Sequence, residues 1–101
     1  MKLNIPIKIY SSFFSKFRGL MFQKRIDYGI KLVSCNSVHT FFMKNDIDLV
    51  ITDKNDIVVF IKENLHPNKI ILPKKEGKSV YELPVGSIKK NKIKLNIKIE
   101  D

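Results

Sequence analysis

The sequence lacks the paired cysteines of a disulfide-stabilised protein and the long apolar runs of a signal peptide or a membrane span. Cys35 is the single cysteine in 101 residues, so no disulfide can form within the chain, which is typical of a reducing compartment. The opening "MKLNIPIKIY" alternates polar and apolar residues, unlike the continuous apolar core of a signal peptide or a membrane span. We therefore expect a cytoplasmic protein without a membrane segment.

Motifs that carry cofactor, metal or nucleophile chemistry are also missing. The sequence contains no phosphate-cradling glycine loop, no nucleophile elbow and no zinc motif. Cys35 and His39 are four residues apart, which in an extended strand corresponds to about 13 Å, too far for a cysteine nucleophile and its histidine base. The sequence therefore predicts no catalytic nucleophile, no metal and no cofactor.

The chain is strongly basic, with a net charge of +9 and a pI near 9.7. A basic chain suggests nucleic-acid binding, yet lysine outnumbers arginine 17 to 2, and arginine is preferred for base contacts and bidentate phosphate contacts. Abundant lysine, isoleucine and asparagine with no alanine is also what an AT-rich genome imposes. We expect no nucleic-acid binding beyond non-specific attraction.

Length and apolar periodicity predict one β-rich domain spanning residues 1–101. Alternation predicts a strand over residues 2–10, with Pro6 at an edge, and helical spacing predicts a helix from Ser11 or Ser12 to Met21. Further strands are predicted at Ile30–Ser34, Val38–Met43, Ile47–Thr52, Ile57–Ile61, Ile70–Leu72, Ser79–Leu83 and residues 92–100, and a second short helix at Val85–Asn91. The predicted fold is mainly β (α+β), a compact antiparallel sheet or barrel-like domain with one or two short helices.

Polar residues inside two apolar runs mark a candidate site. A tight turn at residues 45–46 would pair Met43 with Asp48 and His39 with Thr52, which places His39 and Asp48 on one face of a hairpin. Asp48 lies among apolar neighbours, and a carboxylate in such a run needs partners. Glu82, in "VYELP", repeats the pattern.

These residues support more than one interpretation. We expect a non-catalytic binding module whose pocket takes a small polar ligand, such as a sugar or an amine; its candidate binding residues are His39, Thr40, Asp48 and Glu82, with Arg18 closing the pocket. An enzyme would use Asp48 or Glu82 as general base with His39 as its partner, in a hydrolase-type reaction. A core histidine bonded to the backbone or to Asp48 is the structural alternative, and an accessory role in a larger assembly also stays open.

Several short motifs together resemble the bacterial and archaeal family called domain of unknown function 192, or "uncharacterised ACR". The motifs run in the order of the family: "FRGLM" at 17–21, "CNSVHTFFM" at 35–43, "IDLVITD" at 47–53, "LHP" at 65–67 and "VYELPVG" at 80–86. The resemblance implies a compact β-rich fold with a couple of short helices and no established activity.

The resemblance also implies which positions are characteristic of the family. These are Arg18, Gly19, Leu20, Met21, His39, Thr40, Met43, Asp48, Glu82, Pro84 and Gly86. Two positions depart from the pattern of the family: Asp46 replaces a proline before "ID", and Leu95–Asn96 replaces a Gly-Asp turn before the last strand. The family supplies no catalytic residue for this chain.

Overall fold

The computed structural model describes residues 1–11 and 27–100. This part of the chain forms seven strands and one short helix: β1 Ile7–Tyr10, β2 Gly29–Val33, β3 Val38–His39, β4 Ile47–Thr52, β5 Val58–Leu65, β6 Ile70–Ile71, β7 Ser79–Pro84 and α1 Ser87–Lys90. The predicted mainly β fold is confirmed, and the second predicted helix is present as α1. The helix predicted to end at Met21 lies outside the described residues.

Five strands form the main sheet, in the order β1-β2-β7-β4-β5. All neighbours are antiparallel except β1 and β2, which are parallel. A parallel pair needs a crossover connection instead of a tight turn, and residues 11–28 provide that length of chain. Over the described residues the sheet is open, so the barrel-like form of the prediction is wrong.

Strand β4 lies between β5 and β7 and is buried along its whole length. This agrees with its sequence, "IDLVIT", because a strand covered on both faces reads as a nearly continuous apolar run. Each face of the sheet has its own core cluster. One contains Ile30, Leu32, Met43, Ile47, Leu49, Ile51, Leu65 and Val80, and the other Val50, Val58, Tyr81, Leu83, Ile88, Ile93 and Ile99.

The predicted hairpin between residues 38–43 and 47–52 is wrong. Strand β3 ends at His39 and pairs with β6, with Val38 opposite Ile71 and His39 opposite Ile70. Residues 40–46 form turns and loop, whereas β4 pairs with β5 and β7. The backbone N–H of Thr40 donates to the carbonyl oxygen of Lys69, and the carbonyl oxygen of Thr40 accepts from the N–H of Met43. Strand β3 ends there because the second bond closes a turn over residues 40–43.

The chain termini form isolated bridges where longer strands were predicted. Residues 92–100 make single bridges, Ile57 to Lys98 and Lys2 to Glu100, and β1 begins at Ile7 rather than at residue 2. A turn at residues 95–96 with a positive φ of 70° at Asn96 interrupts the C-terminal alternation. No helix among the described residues has the length and apolar character needed to cross a membrane.

Candidate functional site

The two buried acids lie on opposite faces of the main sheet. Asp48 pairs with Leu83, and Leu49 pairs with Glu82. Paired residues share a face, and successive residues of a strand alternate between faces. The carboxylates of Asp48 and Glu82 therefore do not face one another, although they lie in neighbouring strands.

The carboxylate of Asp48 binds three backbone N–H groups from two segments of the chain. Its side chain is fully buried; Oδ1 accepts from the N–H of Asn64 at 3.1 Å, and Oδ2 accepts from the N–H groups of Gly86 and Ile88 at 3.1 and 3.0 Å. The register of β5 shifts opposite Asp48, and such a bulge leaves an N–H without a ladder partner. One carboxylate thus satisfies the bulge of β5 and the first turn of α1 together.

Gly86 makes the second half of this arrangement possible. It precedes α1 with a φ of +93°, a left-handed conformation that glycine adopts without steric strain. The turn directs the N–H groups of residues 86 and 88 toward the same carboxylate oxygen. The "ELPVG" motif therefore contributes to the anchoring of α1 by Asp48.

Glu82 lies in the central strand β7 between Ile30 of β2 and Leu49 of β4. Only 2% of its surface is exposed. The structure thus places Glu82 at the middle of the sheet, on the opposite face from Asp48.

Thr40 fixes the loop that precedes β6. The residue is fully buried; its hydroxyl donates to the carbonyl oxygen of His66 at 2.7 Å and accepts from the N–H of Lys69 at 2.8 Å. Its carbonyl oxygen accepts from the N–H of Asn68. Every one of these partners is backbone, so Thr40 couples residues 40 and 66–69.

His39 lies on the outer face of the small β3–β6 sheet. Val38 and Ile71 pack against the core, so alternation places His39 and its partner Ile70 on the other face. The imidazole stacks on Phe41 at 5.2 Å between ring centroids, and its Nδ1 accepts from the N–H of Phe41 at 3.3 Å. Within the described residues, no hydrogen bond joins His39 to Asp48.

Exposed apolar side chains continue from His39. Phe41, Phe42, Ile70 and Leu72 are 37%, 63%, 60% and 70% exposed. We call the five residues His39, Phe41, Phe42, Ile70 and Leu72 the aromatic surface. Phe42 also has a φ of +63°, which is unusual for a bulky side chain. Arg18, which was predicted to close the pocket, lies outside the described residues.

A second polar cluster was missed by sequence reasoning. The carboxylate of Asp56 accepts from the Lys31 ammonium at 2.9 Å, from the Thr52 hydroxyl at 2.8 Å and from the Tyr81 hydroxyl at 2.9 Å. These residues come from β2, β4, β7 and the β4–β5 turn. The "DKND" motif predicts only the turn, because the partners of Asp56 are brought in by sheet pairing.

The described residues show no arrangement suited to a metal. They contain no group of three histidine, cysteine or acidic side chains that could hold an ion. The thiol of Cys35 donates to the carbonyl oxygen of Ser37 at 3.1 Å and is half-buried.

Similar proteins are found by sequence. A UPF0127 protein from Thermococcus sibiricus is 34% identical over 88 residues, covering 81% of this chain and 56% of the relative. A UPF0127 protein from Pyrococcus furiosus is 28% identical over 104 residues, covering 98% of this chain and 89% of the relative. The chain thus spans little more than half the length of the Thermococcus protein.

Two solved structures share the fold. A protein of unknown function from Novosphingobium aromaticivorans has a TM-score of 0.79 and 17% identity, covering 91% of this chain and 71% of that one. A protein from Sinorhizobium meliloti with a proposed role as a transcription regulator has the same TM-score and identity, covering 89% and 76%. At this identity the likeness shows the fold alone. The family model for domain of unknown function 192, "uncharacterized ACR", matches residues 1–100, and the chain belongs to this family.

Proposed function

We propose that the chain is a non-catalytic binding module and that its aromatic surface binds a small, sugar-like ligand. Phe42 carries the proposal, because the residue is 63% exposed and its φ is +63°. A residue held in such a conformation costs on the order of 1–3 kcal/mol, and an exposed ring returns little of that by burial. Stability alone favours glycine or asparagine at this position. We therefore attribute the phenylalanine to ligand binding.

The surroundings of Phe42 support an interaction surface. Besides Phe42, three apolar side chains of the aromatic surface are exposed, those of Phe41, Ile70 and Leu72, together with the half-buried His39. Scattered apolar residues are ordinary on protein surfaces, but a contiguous apolar patch is typical of a binding site. Thr40 holds the loop behind this patch through backbone bonds, which makes the surface preorganised and lowers the entropy lost on binding.

A sugar suits this surface better than an amine. An amine site would use the carboxylates of Asp48 and Glu82, but these are 0% and 2% exposed and lie on opposite faces of the sheet. The flat rings of Phe41 and Phe42 can cover the apolar face of a sugar ring, since both ring faces are then removed from water. The exposed side chain of Lys69 lies next to Ile70 and can bond sugar hydroxyls.

The positions of Asp48 and His39 support ligand binding over acid–base catalysis by these two residues. A general base and its histidine partner must lie within hydrogen-bond reach. Asp48 is occupied by three backbone N–H groups, and His39 faces outward on another sheet. A reaction that uses His39 with Asp48 would require both strands to re-pair.

Saturation-transfer NMR tests the proposal. The probes are neutral monosaccharides and disaccharides, with primary amines as the second panel. We expect transfer to one or more sugars from the wild-type protein and from Leu95→Ala, a control that truncates a 53% exposed apolar residue elsewhere. We expect the transfer to be lost in Phe42→Ala. Absence of transfer to any sugar, or transfer that Phe42→Ala leaves intact, would contradict the proposal.

A further inference from the structure

One end of the main sheet forms a cationic cavity, whose lining shares no residue with the aromatic surface. The last row of paired residues there is Val33 of β2, Ser79 of β7 and Thr52 of β4. Just beyond this row lie Ser34, with a φ of +55°, and Lys78. The β4–β5 turn folds over the same end, because the carbonyl oxygen of Thr52 accepts from the N–H of Lys78 and Asp56 bonds back to Thr52.

The cavity at this end has a volume of about 260 Å³. It is lined by three lysines, two aspartates, two serines and a valine: Lys31, Lys54, Lys78, Asp53, Asp56, Ser34, Ser79 and Val33. A second cavity of about 350 Å³ shares Asp53, Lys54 and Lys78 with the first and adds Lys75 and Glu76. The two cavities form one continuous polar depression, which we call the lysine cavity.

The aspartates of the lysine cavity already have donors. Asp56 accepts from Lys31, Thr52 and Tyr81. Oδ1 of Asp53 accepts from the N–H groups of Asn55 and Ile57 at 2.8 and 3.0 Å. Donors that surround a carboxylate offset much of its negative charge, so these acids repel an incoming anion less than free carboxylates would.

Lys54 and Lys78 form no ion pair within the part of the chain that the structure describes. Over the described residues, the ion pairs are those of the N-terminus, Lys31 and His66. Both side chains belong to exposed residues. Ser34 and Ser79 line the same cavity, and their hydroxyls add donors that rotate freely to suit an acceptor.

We infer that the lysine cavity binds the phosphate group of a small molecule, with Lys54 and Lys78 as the charge partners and Ser34 and Ser79 as hydrogen-bond donors. A phosphate group carries a charge of about −1.5 to −2 and three strong acceptor oxygens. Two ammonium groups match that charge, the four donor groups together are enough to reach all three acceptor oxygens, and lysine is a common partner of phosphate. The concave shape favours a small phosphate compound over an extended polymer.

Amide-detected NMR titration with inorganic phosphate, against sodium chloride at equal ionic strength, tests this inference. We expect saturable shifts that centre on Ser34, Lys54, Lys78 and Ser79. The double variant Lys54→Gln/Lys78→Gln should weaken binding at least about tenfold, because a hydrogen bond to a charged group contributes roughly that factor or more. The control Lys89→Gln/Lys90→Gln removes two exposed charges from α1 and should leave the affinity unchanged.

Three results would overturn the inference. The first is a linear, unsaturable shift spread over many lysines, which is the response of general ionic attraction. The second is equal affinity in the two double variants. The third is a short single-stranded oligonucleotide that binds through Lys54 and Lys78 more tightly than inorganic phosphate, since this would assign the lysines to a nucleic acid. Tighter binding of glycerol 3-phosphate than of inorganic phosphate would support it. None of these readouts depends on sugar binding at the aromatic surface.

Discussion

Replacing Asp48 with asparagine should destabilise the protein strongly. The carboxylate uses both oxygens, Oδ1 for the N–H of Asn64 and Oδ2 for those of Gly86 and Ile88. An asparagine has one oxygen and one NH₂ group. The oxygen will turn toward Gly86 and Ile88, where it satisfies two donors, and the NH₂ group will then face the N–H of Asn64.

The magnitude follows from these three contacts. A hydrogen bond to a charged group contributes about 1.5–3 kcal/mol, and one between neutral groups about 0.5–1.5 kcal/mol. Two bonds that become neutral therefore lose together about 2–3 kcal/mol. One buried N–H left facing another donor costs about 1–3 kcal/mol. We expect a loss of about 3–6 kcal/mol, a large part of the roughly 5–15 kcal/mol that stabilises a typical domain.

Urea denaturation measures this loss as a lower midpoint at constant slope. Asp53→Asn is the matched control, because Oδ1 of Asp53 alone accepts from two backbone N–H groups, those of Asn55 and Ile57. One amide oxygen can keep both bonds, and because Asp53 is only partly buried, water already screens the charge that the variant removes. This variant should therefore lose less than about 1 kcal/mol. A loss below about 1 kcal/mol in Asp48→Asn would refute the structural role assigned to Asp48.

Three further changes test other parts of the fold by denaturant unfolding. Thr40→Val keeps the shape but removes a buried hydroxyl that serves two backbone groups, so we expect a loss of about 1–3 kcal/mol; an unchanged midpoint would contradict the anchoring of the loop. Tyr81→Phe removes a buried donor to Asp56 and should cost about 1.5–3 kcal/mol, whereas a neutral result would show that the remaining donors suffice. Gly86→Ala has open space around the new methyl group but a φ of +93°, so we expect about 1–2 kcal/mol of backbone strain, and no loss would mean that the turn can relax.

Local patterns predicted most strands of the fold but not how they pair. The apolar run of β4 and the turns around it are visible in the sequence, because burial on both faces and turn residues leave local marks. The hairpin prediction failed because the bonds of Thr40 to His66 and Lys69 come from residues far along the chain. No pattern within residues 38–52 contains that information.

The candidate site shows the same division between local and distant information. The sequence identified Asp48 and Glu82 as acids inside apolar strands, and both are buried. Their separation onto two faces depends on register: Asp48 pairs with residue 83 rather than 82, and a shift of one residue would have placed the acids together. The Asp56 cluster was missed for a related reason, since its donors come from three separate strands.

The central claim is that Phe42 serves binding and not stability, and the unfolding free energy of Phe42→Gly tests it most directly. Glycine relieves the left-handed strain, about 1–2 kcal/mol, while the flexible unfolded chain and the lost contacts of a residue that is 63% exposed offset that gain. The account predicts a change of less than about 1 kcal/mol, with Lys92→Gly, at a φ of 55°, as the control for strain relief alone. A loss of about 3 kcal/mol or more, the cost of truncating a core phenylalanine, would show that the ring holds the fold together and would contradict the account.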